Sequence, residues 1–505
     1  MTDLFKARLS EQQLGVVTHV DGPLVVVAGP GSGKTRVLTE RIRHLLTNVT
    51  GHFRVLALTF TNRAADEMKE RLSDLGNARE RAFIGTLHGF CLEVLVERGK
   101  LIGLEGAPNI FEQAKDRREV LEKAVAEDPL LSAELDQCDD ARERRGRIET
   151  WLSSISYVKS HPIKCAVVED EETRRVLDAY EAGMRACNAY DFDDLLLLTY
   201  QLLVSTPKIG DLYRRLYKFV CIDEAQDMNE AQYALITALC ADTHRNVMMV
   251  GDPRQSIYGF NTASPEYMER FGADFGAKRV ELTANYRSSR AVVTFAQTLD
   301  PRYMVDEQLP VPGLVRVLRG TDEADEAKQI AEELERLFRE GHPDVEGGVQ
   351  PGKCAVLGRT RFALLPLEAV FKERGVLFYK RLSANHENES DLGEDFFLAL
   401  RVLANPKDRL HLAALATRWQ VPVPALADNF VGSLAQMATS PRAKAVHDAI
   451  SAMRTAAPSR LDLMPALAEL QKQADVLNET ERLAIYEDVA VLRRDWDHFL
   501  RSASG

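Results

Sequence analysis

The sequence predicts an α/β fold in which a parallel sheet carries a phosphate-binding loop and α-helical insertions interrupt the sheet. Three stretches support it. Leu24-Val25-Val26-Val27-Ala28-Gly29-Pro30-Gly31-Ser32-Gly33-Lys34-Thr35 passes from a β-branched run through a glycine-rich loop into a sequence with helical spacing. Phe219-Val220-Cys221-Ile222-Asp223-Glu224 is an apolar run ended by two carboxylates, and Val247-Met248-Met249-Val250-Gly251-Asp252 is another ended by a polar loop. Short apolar runs of this kind read as buried parallel strands, and open α/β sheets hold ligands beyond the carboxyl ends of such strands.

In the first stretch, Gly29, Gly31 and Gly33 let the backbone curl so that its N–H groups face inward around phosphate oxygens. The following helix N-terminus adds its partial positive charge beneath the same phosphates. Strand, glycine-rich loop and helix together make this a P-loop, predicting a nucleoside triphosphate site with Lys34 on the β- and γ-phosphates and Thr35 on Mg²⁺. Ala28 stands where the usual pattern has its first glycine, and so small a residue should be tolerated.

Composition bounds the function. The 505 residues suffice for about three to four domains, and 45% apolar with 28% charged residues is the balance of a soluble globular protein. No stretch approaches the ~20 consecutive apolar residues that span a bilayer. Met1–Arg8 lacks the apolar core of a signal peptide, so a cytoplasmic protein with no membrane role is expected. Cys91, Cys138, Cys165, Cys187, Cys221, Cys240 and Cys354 form no C-x-x-C pair, which argues against a disulfide scaffold, a zinc ribbon or an iron–sulfur cluster. Isolated core thiols are expected for most of them. The net charge of −12 by itself points away from nucleic acid, but binding needs a local basic track and not a basic total.

Taken in order, Leu9-Ser10-Glu11-Gln12-Gln13 is a helix start with Ser10 as N-cap. The two-sided amide of Gln13 could read an adenine edge; a solvated helix glutamine is the competing reading. Val55–Phe60 is a second strand opening into the helix start Thr61-Asn62-Arg63. Ala82–Phe90 is a third strand with polar groups at its end, so Phe60, Thr61, Asn62, Thr86 and His88 fall on one rim. A satisfied turn histidine accounts for His88 equally well. From about 93 to 200 charged helical stretches replace strand patterns, giving a helical insertion whose charge runs are solvated faces. It ends in the acidic, aromatic Tyr190-Asp191-Phe192-Asp193-Asp194.

At the end of the strand Phe219–Ile222, Asp223 can hold Mg²⁺ and Glu224 can polarise an attacking water. Gln255 is placed to sense a γ-phosphate. Tyr258 and Phe260 offer stacking faces worth roughly 1–3 kcal/mol per base, with core packing as the alternative. Glu281–Ser289 then leads to a second α/β segment with strands at Leu314–Leu318, Cys354–Leu357 and Leu377–Tyr379 and a helix at Asp322–Arg339. From about 388 the pattern is helical.

The motifs met in order are Leu-Ser-Glu-Gln-Gln (9–13), Ala-Gly-Pro-Gly-Ser-Gly-Lys-Thr (28–35), Thr-Phe-Thr-Asn-Arg-Ala-Ala (59–65) and Gly-Thr-Leu-His-Gly-Phe (85–90). Tyr-Asp-Phe-Asp-Asp-Leu (190–195), Ile-Asp-Glu-Ala-Gln-Asp (222–227), Val-Gly-Asp-Pro-Arg-Gln-Ser-Ile-Tyr (250–258) and Asn-Tyr-Arg-Ser (285–288) follow. In this order they resemble the UvrD/Rep/PcrA family of superfamily 1 DNA helicases. The resemblance implies two RecA-like motor domains clasping ATP, each with a helical insertion. The first would be 1–92 with 201–282, its insertion 93–200, the second 283–387 and its insertion 388–505.

By matching position, the resemblance implies that Gln13 reads adenine, Tyr286 stacks on it, and Ala28, Gly29, Gly31, Ser32, Gly33, Lys34 and Thr35 line the phosphates. Asp223 and Thr35 would hold Mg²⁺, Glu224 would be the base for water, and Gln255 and Arg287 would sense the γ-phosphate. Phe60, Asn62, His88, Phe192, Tyr258 and Phe260 would form the single-strand track. The family's Trp-Arg-Gly-Ala is here Phe260-Asn261-Thr262-Ala263, which keeps the aromatic and loses the arginine. Its late motifs, Thr-x-His-x-x-Lys-Gly-Leu-Glu and Val-Ala-x-Thr-Arg-Ala, do not occur, and Leu415-Ala416-Thr417-Arg418 only imitates the second. The chain is thus expected to stop inside or just after the second insertion, before re-entering the second motor domain, leaving sheet edge unpaired and lacking an arginine whose effect can reach about 10³–10⁵-fold.

The expected function is an ATP-dependent helicase or translocase moving 3′ to 5′ on single-stranded or partly duplex DNA. The alternative is an ATP- and DNA-binding regulatory subunit, or half of a split helicase, needing a partner such as a nuclease for turnover.

Overall fold

The structure is a computed structural model that describes residues 9–165, 167–240, 244–259, 262–301, 306–307, 311–360, 362–378, 390–423, 430–456, 462–474 and 479–503. In chain order its strands are β1 (Leu24–Ala28), β2 (Arg54–Thr59), β3 (Ala82–Thr86), β4 (Asn109–Ile110) and β5 (Ala189–Tyr190). There follow β6 (Tyr217–Ile222), β7 (Val247–Gly251), β8 (Lys278–Leu282), β9 (Ala284–Asn285) and β10 (Asp306–Glu307). The chain divides into two compact units, residues 1–86, 214–228 and 242–382, and residues 87–213, 229–241 and 383–505.

The first unit is built on a six-stranded sheet of order β3-β2-β6-β7-β1-β8 in which every pairing is parallel. Its central strands are apolar along their length because both faces are covered; Val25, Val26, Leu56, Ala57, Phe219, Cys221, Met248 and Val250 are all buried. One face packs on the helices Glu11–Thr18 and Lys34–Asn48 through Val16, Leu38, Ile42 and Leu45. Arg41, fully buried, donates to the carbonyls of Val16 and His19 and so caps the end of the first of these helices with a cation. Parallel strands bring their carboxyl ends to one edge, so the loops after β1, β6 and β7 meet there.

Two expectations need correction. The third strand ends at Thr86, and Leu87–Arg98 is a helix, so His88 lies in a first helical turn and not at a strand end. The strands expected at Leu314–Leu318, Cys354–Leu357 and Leu377–Tyr379 do not form among the described residues; Tyr379 lies outside them. An apolar run becomes a strand only when a neighbour takes up its N–H and C=O groups, and no described segment does so here. Val317, Leu357 and Leu377 are 85%, 93% and 94% exposed. The helix expected between the first two forms at Glu323–Glu340, with Asp322 as N-cap accepting the Asp325 N–H.

Among the described residues the second unit is helical apart from the two-residue parallel pair of β4 and β5. One core gathers Val120, Leu121, Trp151, Ile155, Val176 and Tyr180, and another gathers Phe396, Leu415, Val446, Ile450 and Leu467. Residues 141–147, the charged start of the helix Ala141–Ser160, are all exposed, as a solvated charge run should be. All seven cysteines are free, and Cys91, Cys187, Cys221 and Cys240 are buried thiols.

Candidate functional site

The loop after β1 takes its shape from two glycines in left-handed conformations, Gly31 at φ +73° and Gly33 at φ +83°, the latter capping the helix Lys34–Asn48. A β-carbon on Gly31 would run into the side chains of Asn285 and Arg287. Ser32 closes the turn, its N–H and Oγ both donating to the Gly29 carbonyl at 3.2 and 2.7 Å. Ala28 ends β1 fully buried and without positive φ, so nothing at that position requires glycine. Thr35 occupies the second position of the helix.

Gln13 is buried against this loop, not solvated. Its Nε2 donates to the Ser32 carbonyl at 2.9 Å, and its Oε1 accepts the Ser10 N–H at 3.0 Å in a capping box. Among the described residues one amide hydrogen and one lone pair are left for a further partner. From the other side, the Tyr286 N–H donates to the Gly31 carbonyl at 2.9 Å. Asn285, which sequence reasoning passed over, shapes that turn: its Oδ1 accepts the N–H groups of Arg287 and Ser288 at 2.8 and 3.0 Å. Asn ahead of a short polar run is the signal that would have found it. The Tyr286 ring is exposed, and Arg287 is exposed with no ion pair among the described residues.

Beyond β6 and β7 the acidic and amide groups converge on Lys34. Its Nζ lies 3.6 Å from Glu224 Oε2 and donates to Gln255 Oε1 at 3.2 Å. Glu224 adopts φ +49°, a left-handed conformation that costs a non-glycine residue about 1–3 kcal/mol and persists where the surroundings impose it. Asp223 is buried, and burial, then the neighbouring Glu224 charge, pushes its carboxyl up to about 7. Among the described residues its carboxylate accepts one hydrogen bond, from the Glu224 N–H at 3.0 Å.

A buried carboxyl with so little compensation suits a divalent cation, which would restore its charged form. Among the described residues no three His, Cys, Asp or Glu side chains converge as a protein-only metal cage.

The residues expected to touch nucleic acid fall in pairs. In the first unit the rings of Phe60 and Tyr258 lie 4.9 Å apart at 37°, with Phe60 exposed at the end of β2. Asn62 is an exposed first residue of the helix Asn62–Arg71, behind its N-cap Thr61. In the second unit His88 meets Phe192 edge to face at 5.5 Å, and burial lowers the His88 imidazole below its ordinary value. Phe192 projects from a braced helix start: Asp191 and Asp194 form a capping box, and Lys159 Nζ donates to Asp191 at 3.0 Å and to Asp194 at 2.6 Å. Phe260 lies outside the described residues.

A glycine-rich loop at the end of a central parallel strand, with a lysine facing an Asp-Glu pair at the end of a nearby strand, defines a P-loop nucleotide-binding protein. Residues 9–276 match the family described as UvrD/REP helicase N-terminal domain, and the chain belongs to that family. It is similar to the ATP-dependent DNA helicase UvrD1 of Mycobacterium tuberculosis, 33% identical over 428 residues that cover 80% of this chain and 53% of that protein. It is also similar to the ATP-dependent DNA helicase PcrA of Staphylococcus epidermidis, 31% identical over 425 residues covering 82% of this chain and 56% of the relative. The chain spans about half the length of the curated relatives it matches. Among the described residues no helix is long and apolar enough to cross a membrane.

Proposed function

We propose that this chain is the ATP-binding and DNA-engaging motor portion of a cytoplasmic ATP-dependent DNA helicase, moving 3′ to 5′ on single-stranded or partly duplex DNA. The observation that supports it most is the meeting of Glu224 and Gln255 on Lys34, at 3.6 and 3.2 Å from its Nζ, beside a turn bonded to Gly31. On this reading the N–H groups of residues 29–35 seat the phosphates and Lys34 neutralises their charge. Thr35 and Asp223 would hold Mg²⁺, which supplies further charge neutralisation at the phosphates. Glu224 orients and deprotonates the attacking water, Gln255 and Arg287 contact the γ-phosphate, and Gln13 with Tyr286 holds the adenine. Phe60, Tyr258, Phe192 and His88 give bases faces to stack on, and Asn62 a backbone contact.

The same reading divides the chain into a first motor domain of 1–92 with 201–282, a helical insertion of 93–200, a second motor segment of 283–387 and a second insertion of 388–505. A further reading, an ATP- and DNA-binding part that turns over only with another polypeptide such as a nuclease subunit, is favoured by the exposed apolar runs around Val317, Leu357 and Leu377.

The test is ATP hydrolysis by the purified chain with and without single-stranded DNA, beside Lys34→Ala. Hydrolysis that DNA stimulates and Lys34→Ala abolishes is expected of the motor. Nucleotide and DNA binding without stimulated turnover is expected of the part that needs a partner. Absence of nucleotide binding contradicts both.

A further inference from the structure

Gln226 follows the Asp-Glu pair by two positions and is 2% exposed. Its amide spans two elements. Nε2 donates to Glu224 Oε2 at 2.8 Å and to Asp227 Oδ2 at 3.3 Å, while Oε1 accepts the N–H of Asp252 at 3.1 Å. Asp252, also buried, accepts from Gln255 Nε2 through Oδ2 at 2.8 Å and from the Arg254 N–H through Oδ1 at 3.1 Å. With Lys34 hydrogen-bonded to Gln255 and ion-paired with Glu224, five residues close a ring, Lys34, Glu224, Gln226, Asp252 and Gln255, in which the Gln226–Asp252 step runs through the Asp252 backbone N–H.

The glycine of Val250-Gly251-Asp252 belongs to the same device. A β-carbon at Gly251 would collide with Gln226 Oε1 and with the Met268 sulfur, although Gly251 has ordinary strand φ. Glycine is needed there to leave room for the glutamine amide. Asp227 adds a second tie, its carboxyl taking the backbone N–H of Ile257.

We infer that Gln226 is a positioning residue: it holds the carboxylate of Glu224 at a fixed distance from the turn that carries Gln255. The inference rests on the reading of this site as an ATP-hydrolysing centre. Lys34 is the cation of the ring, and a triphosphate would draw its ammonium away from both neighbours. Once it turns to phosphate, Glu224 and Gln255 each lose a partner, and the amide of Gln226 with the carboxylate of Asp252 is what still couples them. A base and a γ-phosphate contact kept in register in this way need no rearrangement as the reaction begins.

The test compares wild type, Gln226→Leu, Gly251→Ala and the double variant for ATP turnover, nucleotide affinity and hydrogen exchange of a peptide spanning 247–256. Gln226→Leu should lower kcat about 10–100-fold while nucleotide affinity stays within about twofold. Gly251→Ala should do the same, and the double variant should be little worse than either single one, because both break one tie. The 247–256 peptide should exchange faster in all three variants. Unchanged kcat, a parallel loss of kcat and nucleotide affinity, or additive effects would overturn the inference. If wild type shows no Lys34-dependent hydrolysis, the reading of the site fails by itself. The exchange comparison then still decides the tie: unaltered protection of 247–256 in Gln226→Leu contradicts it.

Discussion

Glu224 shows how a single residue can bear strain because of what its side chain must reach. At φ +49° its β-carbon is crowded, and Gly or Asn would relieve the backbone. Neither could put a carboxylate 3.6 Å from Lys34. Gly31 is the complementary case, where positive φ and the nearness of Asn285 leave no room for any side chain. Tyr258 shows a residue whose contact serves a surface: its ring lies 4.9 Å from that of Phe60, which is exposed. Replacing either ring by Ala should weaken single-stranded DNA binding by about 1–3 kcal/mol per lost stack. Hydrolysis without DNA should change little. Fluorescence anisotropy of a labelled oligonucleotide measures this, and unaltered affinity in both variants would remove the pair from the DNA path.

At the scale of elements, buried charge joins helices distant in sequence. Asp116 on the helix Ala114–Glu127 pairs with Arg401 on Asp391–Ala404, and His411 on Arg409–Arg418 sits between Asp116 Oδ1 at 3.2 Å and Asp408 Oδ2 at 2.6 Å. Arg401 also approaches His411 Nε2 at 2.9 Å. Burial alone would lower the His411 imidazole, but its hydrogen bonds to Asp116 and Asp408 outweigh this and raise it above the ordinary value. A raised folded-state value means that the contribution is complete below the ordinary histidine range, near pH ~6.5, and is lost as pH rises through the raised value. Denaturant unfolding should therefore show wild type losing stability from pH 6 to pH 9 relative to His411→Gln. Parallel curves for the two proteins would contradict it. Asp116→Ala, which strands Arg401 and His411, should cost about 3–5 kcal/mol.

Across the whole molecule, legibility followed the range over which each feature is decided. The P-loop and the runs ending in Asp223 and Gly251 were readable because a strand covered on both faces is apolar throughout and its functional loop follows at once. The end of β3 was not, since nothing in the composition of Leu87–Phe90 sets it apart from the strand before it, while the backbone turns helical at Leu87. Leu314–Leu318 has the composition of a strand, but ladder partners decide strands, and composition does not record them. Gln226, Asp252 and Asn285 were missed for a similar reason. Their side chains have roles only because the sheet order brings β7 beside β6, and β8 beside β1. For Gln13 the residues alone leave a base contact and a solvated glutamine open and the resemblance implies the first; only the fold reveals that its amide braces Ser32.

The claim on which the rest depends is that Glu224 acts on water at a nucleotide seated by Lys34. The most direct measurement is ATP hydrolysis in the presence of single-stranded DNA, set beside equilibrium nucleotide binding, for wild type and Glu224→Gln. Loss of a positioned general base should lower turnover by about 10²–10⁴-fold while nucleotide binding persists. Turnover that survives Glu224→Gln, with binding intact, would contradict the assignment and with it the hydrolytic site described here.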